Sequence, residues 1–155
     1  MKRVLVFAAG SAALLMSCVS AFAIESEYKA TSTHSVADVW AKVGNFCGIG
    51  NWHPAVAKCE LSYGNKIRTL TLKGGGTIVE RLMDWDKTGH SYTYRIVKSP
   101  LPIKNYISTI KVVADGSGSD IIWSGKYKAV KGTTDDAAKK IIDGIYKDGA
   151  DALAK

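Results

Sequence analysis

The chain has little of what chemistry-bearing motifs are built from. It holds three cysteines, three histidines and three prolines in 155 residues, and neither histidines nor cysteines fall at a metal-ligand spacing. Its formal charge of +7 comes without a basic run, a nucleic-acid motif or a zinc-finger pattern. The basicity therefore reads as solubility or as docking to an acidic protein partner, not as a nucleic-acid surface. The run Gly74-Gly75-Gly76 has neither the Lys-Ser/Thr nor the following helix of a phosphate loop. No nucleophile, base and orienting group stand together as a catalytic set. Past residue 16 no apolar stretch approaches a membrane span, and there is no internal repeat or low-complexity linker. Metal, nucleic-acid and phosphate-loop chemistry drop out, and no cofactor is expected.

What is present begins with an export signal. Lys2 and Arg3 precede an apolar stretch from Val4 to Met16, and Ala21-Phe22-Ala23 is the small-x-small pattern that a signal peptidase cuts. Residues 1–23 thus read as a signal peptide cleaved after Ala23, giving a periplasmic or secreted protein with no stable membrane span. A rival reading takes Leu15-Met16-Ser17-Cys18 as a lipobox with Cys18 acylated, although Met16 fits that box poorly. Residues 24–155 suffice for one domain with a real core and are too few for two. Its charge falls to +5 when Lys2 and Arg3 leave, all 14 acids lying beyond the signal. Cys47 and Cys59 remain; in an oxidising compartment they can pair, and otherwise they are small buried hydrophobes.

The order of elements is legible from periodicity and turn residues. A strand over 24–33 is followed by Ser35 as a helix cap, with Asp38 three residues on and Val36, Val39, Trp40 and Val43 along one face. Asn51-Trp52-His53-Pro54 suggests a short second helical turn. Six strands follow, over 56–62, 66–72, 77–85, 91–98, 104–114 and 120–130, nearly every pair separated by glycine- and aspartate-rich turns that suit an antiparallel meander. Alternation places Tyr92, Tyr94 and Ile96 on one face with Tyr106, Ser108, Ile110 and Val112, and with Ile121, Trp123 and Tyr127. The last helix starts near Thr133 or Thr134, with Asp135 and Asp136 in its first turn. Its expected buried stripe is Ala138, Ile141, Ile142, Ile145, Gly149 and Ala152. The fold class is α+β: a curved antiparallel sheet around a long C-terminal helix, with two short helices after the first strand.

That order, together with Val39-Trp40, Trp52-His53-Pro54, Glu80-Arg81-Leu82, Asn105-Tyr106 and Trp123-Ser124-Gly125, resembles the START-like superfamily with the Bet v 1 helix-grip fold. The polyketide cyclase/dehydrase and lipid-transport branch looks closest. Plant abscisic-acid receptors, a distant branch, carry similar Glu-Arg-Leu and Asn-Tyr strings, and that similarity implies Glu80, Tyr106 and Ser108 as pocket residues. It also places the receptor gate loop on Lys73-Gly74-Gly75-Gly76 and the latch loop on Pro100-Leu101-Pro102, with neither receptor motif preserved. Trp52 stands where the receptor has the lysine that pairs with a ligand carboxylate. An exported member of this branch also resembles the small periplasmic accessory protein of bacterial methanol oxidation, which implies docking to a redox enzyme such as a methanol dehydrogenase.

Three functional expectations follow. The first is an exported carrier that holds a small hydrophobic or amphipathic ligand between sheet and C-terminal helix, lined by Trp52, Glu80, Tyr94, Tyr106, Ser108, Trp123 and Ile145. The second is a cyclase- or dehydratase-type enzyme with His53, Glu80 and Tyr106 in acid/base roles. The third is the accessory protein with an acidic partner. Glu80, on the expected interior face, is either a ligand anchor or half of a structural pair with Arg95, Lys104 or another interior cation.

Overall fold

The computed structural model describes residues 23–155, so the signal-peptide and Cys18 lipobox readings lie outside the described residues. The elements run β1 (Ile24–Ser32), α1 (Val36–Val43), α2 (Ile49–Trp52), β2 (Val56–Ser62), β3 (Ile67–Leu72), β4 (Thr77–Asp86), β5 (Ser91–Lys98), β6 (Ile103–Asp115), β7 (Gly118–Ala129) and α3 (Asp135–Ala154). All strand pairings are antiparallel, in the order β1-β7-β6-β5-β4-β3-β2. This is the helix-grip arrangement: a meander from β2 to β7, extended by β1 on its last strand, curving around α3.

Local chemistry accounts for the starts and bends. Ser35 caps α1 by accepting the Asp38 N–H, and Thr134 caps α3 by accepting the Ala137 N–H, so each side chain satisfies an amide the helix leaves open. Register shifts interrupt the ladders between Val56 and Lys58, Val79 and Glu80, Leu82 and Asp84, and Lys104 and Ile107. Each extra residue bends its strand, and together they give the sheet a concave face. Cys47, between the two short helices, is bonded to Cys59 on β2, with a Cα–Cα distance of 5.5 Å.

Inward-facing residues follow strand alternation as expected: Tyr92 and Tyr94, Tyr106, Ser108, Ile110 and Val112, and Ile121, Trp123 and Tyr127 are all buried. The helix stripe needs correction. Ala138, Ile142 and Gly149 are buried, but Ile141 is exposed and Ile145 and Ala152 are half-buried, whereas Tyr146, Ala150 and Leu153 are fully buried. The buried arc is thus rotated about the helix axis from the expected one. It is centred on the side where Tyr146 reaches the sheet and where Gly149 lets α3 come close. A Cβ on Gly149 would stand 2.6 Å from the Trp123 ring and 2.7 Å from the His53 ring. Trp123 and Tyr146 stack with centroids 4.9 Å apart at 13°, a contact worth about 0.5–1.5 kcal/mol beyond burial.

Candidate functional site

Between the concave face and α3 lies a cavity of about 370 Å³. Its walls are mostly aliphatic: Ile49 from α2, Val56 from β2, Leu70 and Leu72 from β3, Ile78 and Ile96 from β4 and β5, and Ile142 and Ile145 from α3. The β3–β4 loop supplies Gly74 and Gly75, and the β5–β6 loop supplies Leu101. A Cβ on Gly76 would lie 3.4 Å from Pro100 Cγ, so the two loops touch beside the cavity. They are the segments the receptor similarity marks as gate and latch.

Polar groups reach the cavity from one side. Glu80, Tyr94, Tyr106, Trp123 and His53 all line it. Behind them runs a chain of hydrogen bonds: Tyr94 and Tyr106 hydroxyls 3.3 Å apart, Tyr106 and Tyr146 hydroxyls 2.7 Å apart, and the Tyr146 hydroxyl donating to Ser108 Oγ at 3.0 Å. Ser108 in turn donates to the Ser124 carbonyl at 2.7 Å. Trp123 Nε1–H is shared between Tyr94 Oη at 3.1 Å and Ser108 Oγ at 3.0 Å. Gly125 makes room for this chain, since a Cβ there would overlap the Tyr146 hydroxyl. Burial pushes the Tyr94, Tyr106 and Tyr146 hydroxyls above the usual phenol range, so all three keep their protons at neutral pH.

Glu80 is paired, and its partner is neither Arg95 nor Lys104. Arg68 on β3, opposite Glu80 in register, donates from Nε to Glu80 Oε2 at 2.5 Å. Arg95 and Lys104 instead stand exposed, because Arg95 has the opposite parity to the inward Tyr94 and Ile96. Arg68 is fully buried, donates from Nη1 to the Phe46 carbonyl at 2.5 Å, and has its guanidinium 4.2 Å from the Phe46 ring centroid and 4.8 Å from that of Tyr94. Burial opposes ionisation of both partners. It carries the Glu80 carboxyl above the usual carboxylate range, against the pull of Arg68. For Arg68 burial is the largest single influence, but the Glu80 charge and hydrogen bond together with Tyr92 and Tyr94 more than offset it, and the guanidinium stays cationic.

His53 caps α2, is buried, and spends both ring nitrogens on structure. Nε2–H donates to the Ile145 carbonyl at 3.1 Å, and Nδ1 accepts the Ala55 N–H at 3.1 Å. That pattern fixes the neutral tautomer, and burial lowers its pKa from 6.5. The ring fastens the α2–β2 connection to α3.

Of the residues expected to line the site, Glu80, Tyr94, Tyr106, Trp123 and Ile145 do so. Trp52 and Ser108 stand off the wall. The Trp52 ring packs edge-on against Trp123 at 5.8 Å, since its neighbour His53 takes the direction toward α3. Ser108 is sealed behind Trp123 and Tyr146 by its three hydrogen bonds. The aliphatic wall from β2 and β3 was not foreseen. The signal that marks it is the alternation Arg68, Leu70, Leu72, which puts a lone cation in an otherwise apolar row. Among the described residues no group of three or more His, Cys, Asp or Glu side chains is placed to hold a metal ion. Nor is any helix among them long and apolar enough to cross a membrane.

Comparison with known families places this geometry. The family described as polyketide cyclase/dehydrase and lipid transport matches residues 23–155. The chain belongs to that family. Among solved structures it is similar to the protein XoxI from Bacillus cereus, at 33% identity and a TM-score of 0.81, over 84% of this chain and 92% of that one. A Bacillus thuringiensis protein of uncharacterised function is similar at 32% identity and a TM-score of 0.80, over 84% and 96%. The Zhui aromatase/cyclase from Streptomyces sp. R1128 shares the fold at 16% identity and a TM-score of 0.65, over 83% and 87%. No curated protein matches.

Proposed function

We propose that this member of the family is an exported binding or carrier protein for a small hydrophobic or amphipathic molecule. The observation that carries the reading is the cavity of about 370 Å³, aliphatic over most of its wall and polar at one side. Its size falls in the range of about 300–1,000 Å³ that small-molecule sites occupy. Apolar burial would supply affinity, and Glu80, Tyr94 and Tyr106 would set orientation. The acid/base reading draws less support from the geometry, because both His53 nitrogens are occupied and one Glu80 oxygen is held by Arg68.

Export with cleavage after Ala23 is part of the proposal. It is supported by β1 beginning at Ile24, so that cleavage after Ala23 would leave that strand whole, and by a disulfide suited to an oxidising compartment. Intact mass of the exported protein tests this: a chain starting at Ile24 is expected, whereas an acylated Cys18 would establish the lipoprotein instead.

Docking to an acidic partner, such as the redox enzyme that the methanol-oxidation resemblance implies, is a second reading with its own observation. On the outer sheet face Arg81 and Arg95 stand directly opposite one another, beside exposed Val97 and Ile107. Like charges facing across strands repel, and an acidic surface would relieve that. Native mass spectrometry of gently purified protein separates the two. A co-purified apolar molecule that is missing from Ile145→Trp, whose indole would occupy the cavity, supports the carrier. An empty protein that binds partner in a salt-sensitive way, lost in Arg81→Glu/Arg95→Glu, supports docking.

A further inference from the structure

The polar side of the cavity has a fixed hydrogen-bond direction, and that direction selects a ligand class. The Ser124 carbonyl can only accept, so Ser108 donates to it, and Ser108 Oγ is then an acceptor for Tyr146. With its proton spent on Ser108, the Tyr146 oxygen receives the Tyr106 hydroxyl proton at 2.7 Å. Tyr94 is the end of the chain. Its oxygen already accepts Trp123 Nε1–H at 3.1 Å, and the only acceptor for its own proton in the chain is Tyr106 Oη at a long 3.3 Å. The cavity therefore meets a weakly engaged donor at Tyr94.

An acceptor stands close by. Glu80 and Ile96 are paired across β4 and β5, so Tyr94 is the diagonal neighbour of Glu80 on the inward face. Arg68 Nε holds Oε2, which leaves Oε1 for the cavity. The pair is internally neutral: the Glu80 carboxylate has the Arg68 guanidinium as counterion, both buried. A ligand carboxylate there would add an unbalanced negative charge beside Glu80, and a ligand ammonium an unbalanced positive one beside Arg68. Either is costly away from water.

We infer that the cavity selects a neutral ligand carrying one hydroxyl group, which accepts from Tyr94 and donates to Glu80 while an apolar body fills the aliphatic end. This rests on the carrier reading of the same cavity. A cavity of about 150 Å³ admits a benzene ring, so one of about 370 Å³ accommodates roughly fifteen non-hydrogen atoms, an aromatic or alicyclic alcohol of two rings.

The test uses four probes with one body: 2-methylnaphthalene, 2-naphthylmethanol, 2-naphthoate and 2-naphthylmethylammonium, titrated calorimetrically into the mature disulfide-bonded protein. The alcohol is expected to bind about tenfold tighter than the hydrocarbon, from two added hydrogen bonds, and at least tenfold tighter than either ion. Tyr94→Phe keeps Trp123 Nε1 bonded to Ser108 and is expected to cut the alcohol's advantage over the hydrocarbon to about threefold, the bond to Glu80 remaining. Equal affinities in the wild type, a tighter ion, or an alcohol preference undiminished in Tyr94→Phe would overturn the hydroxyl inference and leave the apolar cavity standing. Failure of all four to bind, or unchanged hydrocarbon binding by Ile145→Trp, would overturn the carrier reading and the inference with it.

Discussion

Breaking the buried Arg68–Glu80 pair from one side is expected to be among the most damaging single changes in the molecule. Arg68→Met removes the counterion of a carboxylate that is 4% exposed, leaves the Phe46 carbonyl without its donor, and dissolves the guanidinium contacts with Phe46 and Tyr94. One-sided removal from a buried pair costs about 3–5 kcal/mol. For a domain of this size that is a fall in Tm of roughly 10–20 °C. Arg68→Met/Glu80→Leu removes both charges and is expected to recover most of the loss, so urea titrations of the two singles and the double should give a coupling energy above about 2 kcal/mol. The pH dependence carries a sign. A Glu80 carboxyl raised above its unfolded value of 4.5 binds more protons folded than unfolded, so its contribution is present at low pH and is lost as pH rises from 4.5 toward the raised value. Without Arg68 the carboxyl rises further, and Arg68→Met should regain stability on moving from pH 7 toward pH 5. Singles that cost under 1 kcal/mol, or additive effects in the double, would refute the pairing argument.

Two glycines on one helix should respond oppositely to alanine. Gly144→Ala meets nothing within 4 Å and should gain up to about 1 kcal/mol of helix propensity; Gly149→Ala runs into Trp123 and His53 and should lose about 1–3 kcal/mol in thermal melts despite the same propensity gain. Reducing the Cys47–Cys59 bridge, which spans 12 residues, should cost about 3 kcal/mol in the chain-entropy account, and an unchanged denaturation midpoint with reductant would contradict it. His53, held neutral with a pKa below 6.5, leaves the unfolded chain binding more protons than the folded one as pH falls below 6.5. Stability should therefore decline from pH 6.5 toward its lowered value, and His53→Gln should flatten that slope in urea titrations.

The architecture was legible because local signals agree with it. Ser35 with Asp38, Thr134 with two aspartates, and turn residues between nearly every later pair of strands mark the ends of elements. Alternation through Tyr92, Tyr94 and Ile96 marks which face turns inward. What stayed hidden depends on distances across the fold. Arg68 reads as one more charge on a half-apolar strand until β3 lies beside β4 and brings it to Glu80. The α3 register is ambiguous in sequence because Ile141, Ile142 and Ile145 satisfy two overlapping arcs. The arc that wins is set by Tyr146 reaching Ser108 and by Gly149 admitting Trp123, both of which are properties of the sheet. Trp52 and Ser108 illustrate the converse: proximity in a resembling motif does not say on which side of a wall a side chain stands.

The most direct test of the central claim is methyl NMR of the mature protein, with isoleucine and leucine side chains labelled, titrated with 2-naphthylmethanol. The account predicts saturable shifts and intermolecular contacts at Leu70, Ile142 and Ile145, which face one another across the cavity, with exposed Ile107 unchanged. Shifts confined to Ile107 and the outer sheet face, or none at the three cavity residues, would contradict it.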